Sequence, residues 1–216
     1  MADALAGELS EEAQVALAWA PPRARPATAA LLALDQRLGT ILRQKREPML
    51  AQMRLAWWRD RLSEPSGNWP HGDAVLDALR LWQEPAALVA LVNGWEELLG
   101  EALDEAAIAG FAQGRASGFA ALAMEVGEGA AADAAAHAGR QWALADLAAN
   151  LSNPAEREAV LAQARRSERP GRLPRMLRAP AVLAGLGRIA VDRGGAPLLA
   201  GRGSAIMALR IGLVGR

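Results

Sequence analysis

The chain of 216 residues has no cysteine and no tyrosine, one lysine and two histidines. Without cysteine it cannot form a disulfide, a thiolate nucleophile or a Cys-ligated metal site. His71 and His137 are far apart in sequence and match no metal-binding spacing such as HExxH, so a histidine-based metal site is not expected. His137 stands among alanines and is predicted to be a partly buried helical residue.

Long apolar runs and an excess of either charge are also missing. The 24 basic residues balance 24 acidic ones, so no overall charge indicates nucleic-acid binding. A transmembrane helix needs about 18 consecutive apolar residues, and the longest candidates, 179–191 and 196–214, are interrupted by arginine. The first residues, MADALAGELSEE, lack the apolar segment of a secretory signal. We expect a cytoplasmic protein with no transmembrane segment.

The abundant residues are helix formers. Alanine, leucine, arginine, glutamate and glutamine dominate, and strand-like alternation is nearly absent, which predicts an all-α protein. Proline and glycine divide the chain into predicted helices over residues 11–19, 26–45, 48–62, 73–82, 84–99, 104–126, 130–151, 154–166, 179–192 and 204–213. The breaks are typical of turns within one bundle rather than linkers, so a single domain is predicted.

Two acidic and polar residues stand where helices are predicted to begin. Ser10 and Asp73 directly precede helical segments and are predicted N-caps. Asp73 and Asp77 also have DxxxD spacing, which could indicate a metal pair. We favour the structural interpretation, because the dipole of a helix favours acidic residues in its first turn.

The segment RLAWWRD is the most distinctive part of the sequence. The inner side of the helix over 48–62 is predicted to carry Met49, Met53, Trp57 and Leu62. Adjacent helical residues point about 100° apart, so Trp57 and Trp58 cannot be equally buried. One interpretation places Trp57 in the core, Trp58 in a second packing layer and Arg54 in a salt bridge. The other is a partner-binding surface of Arg54, Trp58 and Arg59, because exposed tryptophan and arginine are common interface anchors.

A basic run lies around the second predicted helix, and consists of Arg23, Arg25, Arg37, Arg43, Lys45 and Arg46. Such a run is usually a solvated face. The alternative is that it binds an anionic lipid head group or a phosphate. Because interleaved aromatic residues are missing, nucleic acid is not expected as a partner.

Two segments resemble the squalene/phytoene synthase family. In residues 21–62 an arginine-bearing helix start leads into ALLAL and then RLAWWRD, as in the family. Within this segment, REPMLAQMRLAWWRDRL is similar to a divergent bacterial branch of the family. That branch is related to the mitochondrial complex I assembly factor that has a phytoene-synthase fold. In residues 111–151, FAQGRASGFAALAMEVGE and AGRQWALADLAANL resemble the paired helices before the family's second acidic motif. The resemblance implies an all-α, single-domain bundle of the isoprenoid synthase type, shortened at the C-terminus, with an N-terminal helix in 1–20 and the family-like region in 21–216.

Active members of that family join two prenyl diphosphates and need Mg²⁺ held by aspartates three or four residues apart on two facing helices. Aligned on ALLAL, the two acidic motifs fall on residues without a carboxylate: Gly39, Thr40, Arg43, Ala149, Asn150 and Pro154. Asp35 and Asp146 lie one turn earlier in each case and are the residual catalytic candidates. Two lone carboxylates are too few to hold a pair of divalent ions against a diphosphate.

The resemblance and the missing acids together imply a non-catalytic protein that acts in the assembly of a membrane respiratory complex similar to complex I. The same reasoning predicts no metal or other cofactor. It predicts a protein partner at or near the membrane, and a location peripheral to the inner membrane. It also implies a central cavity that could hold a lipid or an isoprenoid. The residues expected to contact a ligand or partner are Arg43, Arg54, Trp58, Arg59 and Asn150.

The enzymatic alternative is a Mg²⁺-dependent transferase making squalene- or phytoene-like isoprenoids. It requires Asp35 and Asp146 to face one cavity with further acids nearby. A third possibility is a subunit-like partner of an active synthase.

Overall fold

The computed structural model describes residues 5–43 and 48–200. Within these ranges the regular secondary structure is helical and no strand occurs, which confirms the all-α prediction. We number the longer helices along the chain as α1 (Glu11–Ala18), α2 (Arg25–Arg43), α3 (Pro48–Ser63), α4 (Ala74–Leu79), α5 (Val89–Glu96), α6 (Glu105–Glu125), α7 (Ala132–Asn150), α8 (Pro154–Arg166) and α9 (Arg178–Asp192).

The predicted helix boundaries agree with these within a few residues, apart from one segment. The helix predicted over 84–99 is divided into two 3₁₀ turns, Pro85–Leu88 and Glu97–Leu99, with α5 between them. The predicted helix over 204–213 and the end of the second helix at Lys45 lie outside the described residues.

Side-chain caps fix the start of several helices. The carboxylate of Asp73 accepts hydrogen bonds from the backbone N–H groups of Val75 and Leu76, which confirms its predicted role as an N-cap. Ser10 has the extended backbone of an N-cap, but its hydroxyl donates to the Glu12 carboxylate instead of capping the backbone. Ser10 is therefore the N-cap residue of α1, as predicted, but its side chain makes no capping hydrogen bond.

Helices α6 and α7 pack along each other at the centre, with α5 against α6 and α9 against α7. Glycines let these backbones approach closely. A Cβ atom added to Gly139 of α7 would lie 2.6 Å from the carbonyl oxygen of Arg115 on α6, and one added to Gly114 of α6 would lie 2.7 Å from the Cα of Gly94 on α5. A larger residue at either position would force the helices apart. The two glycines therefore allow α5, α6 and α7 to pack at a short distance from one another.

Helix α3 buries Leu62 as predicted, but the other residues predicted to face inward lie on its opposite, exposed side. Leu55, Trp58 and Leu62 are buried, whereas Met49 and Met53 are exposed. Trp57 is also exposed and touches Trp58 edge to face, with the ring centroids 5.2 Å apart. The assignment of Trp57 to the core was wrong because both faces of α3 carry apolar residues at helical spacing, and the sequence pattern alone does not tell which face meets α2 and α5.

The buried apolar side chains of the described residues form one continuous core that reaches from Leu5 to Leu198. The core is built largely of alanine and leucine, with tryptophan and phenylalanine filling the space between the central helices. In the described part of the chain, no helix is long and apolar enough to cross a membrane.

Candidate functional site

Three helices bring one arginine and two aspartates together inside the bundle. Arg115 of α6 donates from Nε and Nη2 to the two carboxylate oxygens of Asp35 on α2, at 2.9 and 2.8 Å. Its third nitrogen, Nη1, donates to Oδ2 of Asp146 on α7 at 2.6 Å. The fork of the guanidinium is thus bound bidentately to one carboxylate and singly to the other, and this geometry favours arginine over lysine. We call Arg115, Asp35 and Asp146 the Arg115 centre.

Aromatic rings surround the guanidinium on its remaining sides. Its carbon atom lies 4.0 Å from the centroid of the Trp142 ring and 4.9 Å from those of Trp95 and Phe111. These distances are within the range of cation–π attraction, which is stronger where water is excluded. Trp142 is itself stacked on Phe119, with ring centroids 5.4 Å apart.

Further hydrogen bonds hold the two carboxylates in place. The indole N–H of Trp95 donates to Oδ1 of Asp35 at 2.9 Å, so this carboxylate accepts three hydrogen bonds. The side-chain amide of Asn150 donates to Oδ1 of Asp146 at 3.0 Å and to the backbone carbonyl of the same residue. Every carboxylate oxygen of the two acids thus accepts at least one hydrogen bond from the chain itself.

The charges of the centre support one another. Burial by itself lowers the pKa of the Arg115 guanidinium, but the carboxylates of Asp35 and Asp146 outweigh this effect and raise the pKa further above its ordinary value. Arg115 is therefore a charged group inside the bundle. A charge this deeply buried is tolerated only when it is paired and hydrogen-bonded, as it is here.

Local sequence explains why the side chains meet. Arg115 stands in the apolar helix α6 between Gly114 and Ala116, where small neighbours leave room for α5 and α7. On α2, Gly39 follows Asp35 by one turn. A Cβ atom at Gly39 would come within 2.9 Å of the Trp95 ring, so glycine there lets the indole reach the Asp35 carboxylate.

A pocket of about 290 Å³ opens over the Arg115 centre between α1, α2 and α7. Most of its lining is polar, and comprises Ser10, Glu12, Asp35, Gln36, Arg43, Arg115, Asp146 and Asn150, with Ala13, Leu32, Gly39, Trp95 and Trp142 as the other residues. Asp35 and Asp146 thus face one cavity, as the enzymatic alternative requires, and Glu12 is a third acid there.

The arrangement does not favour a divalent cation. Mg²⁺ needs carboxylate oxygens that are free to bind it, whereas Asp35 and the near oxygen of Asp146 are bound by Arg115. A guanidinium beside the two carboxylates would also repel a second cation. Among the described residues no group of three or more histidine, aspartate or glutamate side chains is arranged to hold a metal ion.

The residues singled out from the sequence divide into two groups. Asp35, Arg43, Asp146 and Asn150 line the same pocket, although they come from helices far apart in sequence. Residues Arg54, Trp58 and Arg59 lie instead on α3.

The α3 candidates differ in exposure. Trp58 is buried in the core, so the prediction of a surface at Trp58 needs correction: the exposed tryptophan is Trp57. Arg59 is held by the carboxylate of Glu96 and the amide oxygen of Asn93 on α5. Arg54 is exposed and lines a second groove, which lies between α2 and α3.

Sequence reasoning missed Arg115 and its aromatic neighbours. The signal was present, because Arg115 is the only charged residue between Glu105 and Glu125 in a helix otherwise rich in glycine, alanine and phenylalanine. A lone arginine on such a helix predicts a buried partner of opposite charge. The partner itself could not be read from the sequence, because Asp35 is 80 residues away.

Comparison with known protein families, with curated proteins and with solved structures gave no match for this chain.

Proposed function

We propose that this protein is a non-catalytic relative of the squalene/phytoene synthases that works as an accessory protein in the assembly of a membrane respiratory complex similar to complex I. The observation that carries the non-catalytic part is the Arg115 centre. The two acids expected nearest to the family's metal sites are both bound by an arginine of the same chain.

The physical argument is one of competing cations. A diphosphate leaves with the help of Mg²⁺ ions that carboxylates hold in place. Here the guanidinium occupies the carboxylates permanently, because it is covalently part of α6 and is buried with them. To free them, Arg115 would have to be moved out from among the rings of Trp95, Phe111 and Trp142, with loss of at least three charge-assisted hydrogen bonds.

The positions of the missing acids are consistent with this proposal. Gly39, Arg43 and Asn150, on which the resemblance places parts of the two acidic motifs, line the pocket over the Arg115 centre. Arg43 brings a positive charge there instead of a carboxylate. The same pocket has a largely polar lining, which suits a prenyl chain poorly, so we favour a scaffold role over storage of a lipid or isoprenoid.

The assembly role and a location at the periphery of the inner membrane are supported by the resemblance of REPMLAQMRLAWWRDRL to the assembly-factor branch. Helix α3, which carries most of that segment, presents an apolar outer face. An exposed apolar face of this kind suits a protein that works at a membrane.

The first test of the non-catalytic part is Mg²⁺-dependent release of pyrophosphate from farnesyl and geranylgeranyl diphosphate. We expect no release above background from folded protein. Release that is lost in both Asp35→Asn and Asp146→Asn, with folding checked by circular dichroism, would overturn the proposal. The variant Glu158→Gln, on an exposed pair with Arg165, is the control for loss of a carboxylate elsewhere.

The assembly role is tested separately in the native host. Deletion of the gene should lower the amount of assembled NADH–quinone oxidoreductase in membranes on native gels, and plasmid copies of both the natural gene and Asp146→Asn should restore it. Normal assembly in the deletion strain would refute this role without affecting the non-catalytic conclusion.

The second candidate function is the prenyl transferase. It is favoured by one observation, that Asp35, Asp146 and Glu12 face the same pocket. The pyrophosphate assay decides between the two.

A further inference from the structure

Helix α3 carries an exposed apolar stripe on the side that faces away from the core. Met49, Met53 and Trp57 are spaced four residues apart, so their side chains follow one another along one face of the helix. Met49 is 73% exposed and Met53 62% exposed. Leu50, beside them, is also exposed. We call Met49, Leu50, Met53 and Trp57 the α3 stripe.

The described part of the fold does not use this stripe. The opposite face of α3 already supplies Leu55, Trp58 and Leu62 to the core, packed toward α2 and α5. Single exposed apolar residues are common on proteins, but a row of four large ones on three successive turns indicates a surface that is covered in the working protein. Within 5–43 and 48–200 the other large exposed apolar residues are Leu81, in the turn after α4, and Met124 on α6.

The sequence around the stripe is strongly basic. Residues 37–57 contain five basic residues and one acidic residue, a net charge of +4 (5 − 1) in a chain whose overall charge is zero. Arg37 forms ion pairs with Glu8 and Asp73. Arg54 and Arg37 line the groove of about 260 Å³ that Trp57 borders. Arg54 therefore places a positive charge on α3 beside the stripe.

We infer that the α3 stripe docks on an anionic lipid surface, with α3 lying along the membrane. Methionine and leucine side chains would enter the boundary between head groups and acyl chains, and tryptophan is favoured at that depth because its ring is both apolar and polar. The neighbouring arginines would meet lipid phosphates, which adds an attraction that salt weakens.

A lipid surface fits the shape of the stripe better than a protein partner does. The exposed side chains form a line along one side of the helix. Most of them are long and flexible, so they can adapt to the fluid surface of a lipid bilayer. Arginine beside apolar residues on one helix is the pattern of helices that lie in the membrane interface. The inference rests on the proposed function in one respect only, which is that the protein works at a membrane.

The test is co-sedimentation of the full chain with vesicles of two compositions: phosphatidylcholine alone, and phosphatidylcholine with phosphatidylglycerol in equal amounts. The disrupting variant is Met49→Gln with Met53→Gln, since neither side chain packs in the core. The matched control is Leu81→Gln with Met124→Gln, two residues of similar exposure, 67% and 65%, on other elements. Circular dichroism and thermal unfolding check that both variants fold.

We expect binding to the anionic vesicles that falls with added salt, a loss of about tenfold or more in the Met49/Met53 variant, and unchanged binding in the control. Three outcomes would overturn the inference: no binding by the natural protein, equal loss in both variants, or a dimer in solution that only the Met49/Met53 variant dissociates, which would make the stripe a contact between copies. None of these outcomes bears on pyrophosphate release, so failure of this inference is distinguishable from failure of the proposed function.

Discussion

The Arg115 centre and the α3 stripe depart in opposite directions from the usual distribution of charged and apolar groups in a protein. At the centre, three charged side chains are placed between the core helices, where apolar residues are the rule. On the stripe, four large apolar side chains are placed in solvent. Both features combine arginine with tryptophan, yet their surroundings differ completely.

The difference lies in whether the chain itself supplies the compensation. Every nitrogen of the Arg115 guanidinium has a carboxylate partner, and the rings of three aromatic residues cover it. The stripe has no such cover from the described helices. A buried charge that is fully satisfied acts as a structural element, whereas an apolar face left uncovered points to something outside the chain.

The largest expected effect comes from breaking the centre. Arg115→Met keeps an unbranched apolar stem but removes the guanidinium, and so leaves Asp35 and Asp146 without their counter-ion. We expect the free energy of unfolding to fall by about 4 kcal/mol, because removing one member of a buried ion pair leaves an uncompensated charge. Urea unfolding followed by circular dichroism measures this loss.

The control for Arg115→Met is Arg165→Met, since Arg165 pairs with Glu158 on the surface and its loss should cost less than about 1 kcal/mol. Adding Asp35→Asn to Arg115→Met should restore part of the stability, because one uncompensated carboxylate is removed. Equal, small effects at Arg115 and Arg165 would contradict the view that the centre is structural.

The two adjacent tryptophans of α3 test the assignment of its faces. Trp58→Ala should destabilise the protein by about 3 kcal/mol, because it opens a cavity in the core next to Leu55. Trp57→Ala should cost less than about 1 kcal/mol, since much of its side chain is already in solvent. Chemical denaturation of both variants gives the two values, and the reverse order would show that α3 packs with its other face inward.

The smallest expected difference is that between the two aspartates of the centre. Asp35→Asn should destabilise the protein by about 2 kcal/mol and Asp146→Asn by about 1 kcal/mol. The Asp35 side chain is 7% exposed and accepts three hydrogen bonds, whereas that of Asp146 is 19% exposed and is bound by one nitrogen of Arg115. Thermal unfolding of the two variants side by side would detect the difference in stability. Equal changes in melting temperature would mean that the greater exposure of Asp146 does not weaken its pairing with Arg115.

Much of the fold could be predicted from the sequence. Helix-forming composition, proline and glycine punctuation and the cap at Asp73 predict the elements, because these effects act within a few residues. Asp35, Arg43, Asp146 and Asn150 were also singled out from the sequence, and they line one pocket in the structure. Their selection depended on the resemblance rather than on a local pattern.

The predictions that failed concern the direction in which side chains point. Met49, Met53 and Trp57 were assigned to the core on their spacing, and that spacing is correct for a helix face. It is also the spacing of a stripe on the outside. Ser10 stands at the predicted N-cap position of α1, but its side chain makes no capping hydrogen bond and donates to Glu12.

The sequence by itself determined that this chain is helical and, within a few residues, where most of its helices begin and end. These properties follow from interactions between residues close in sequence and from residue types. Only the tertiary structure decided that Arg115 closes on Asp35 and Asp146, 80 and 31 residues away, and that α3 turns Trp58 inward and Trp57 outward. Both outcomes depend on which helices pack together, and a helix carries two possible apolar faces until its neighbours bury one of them.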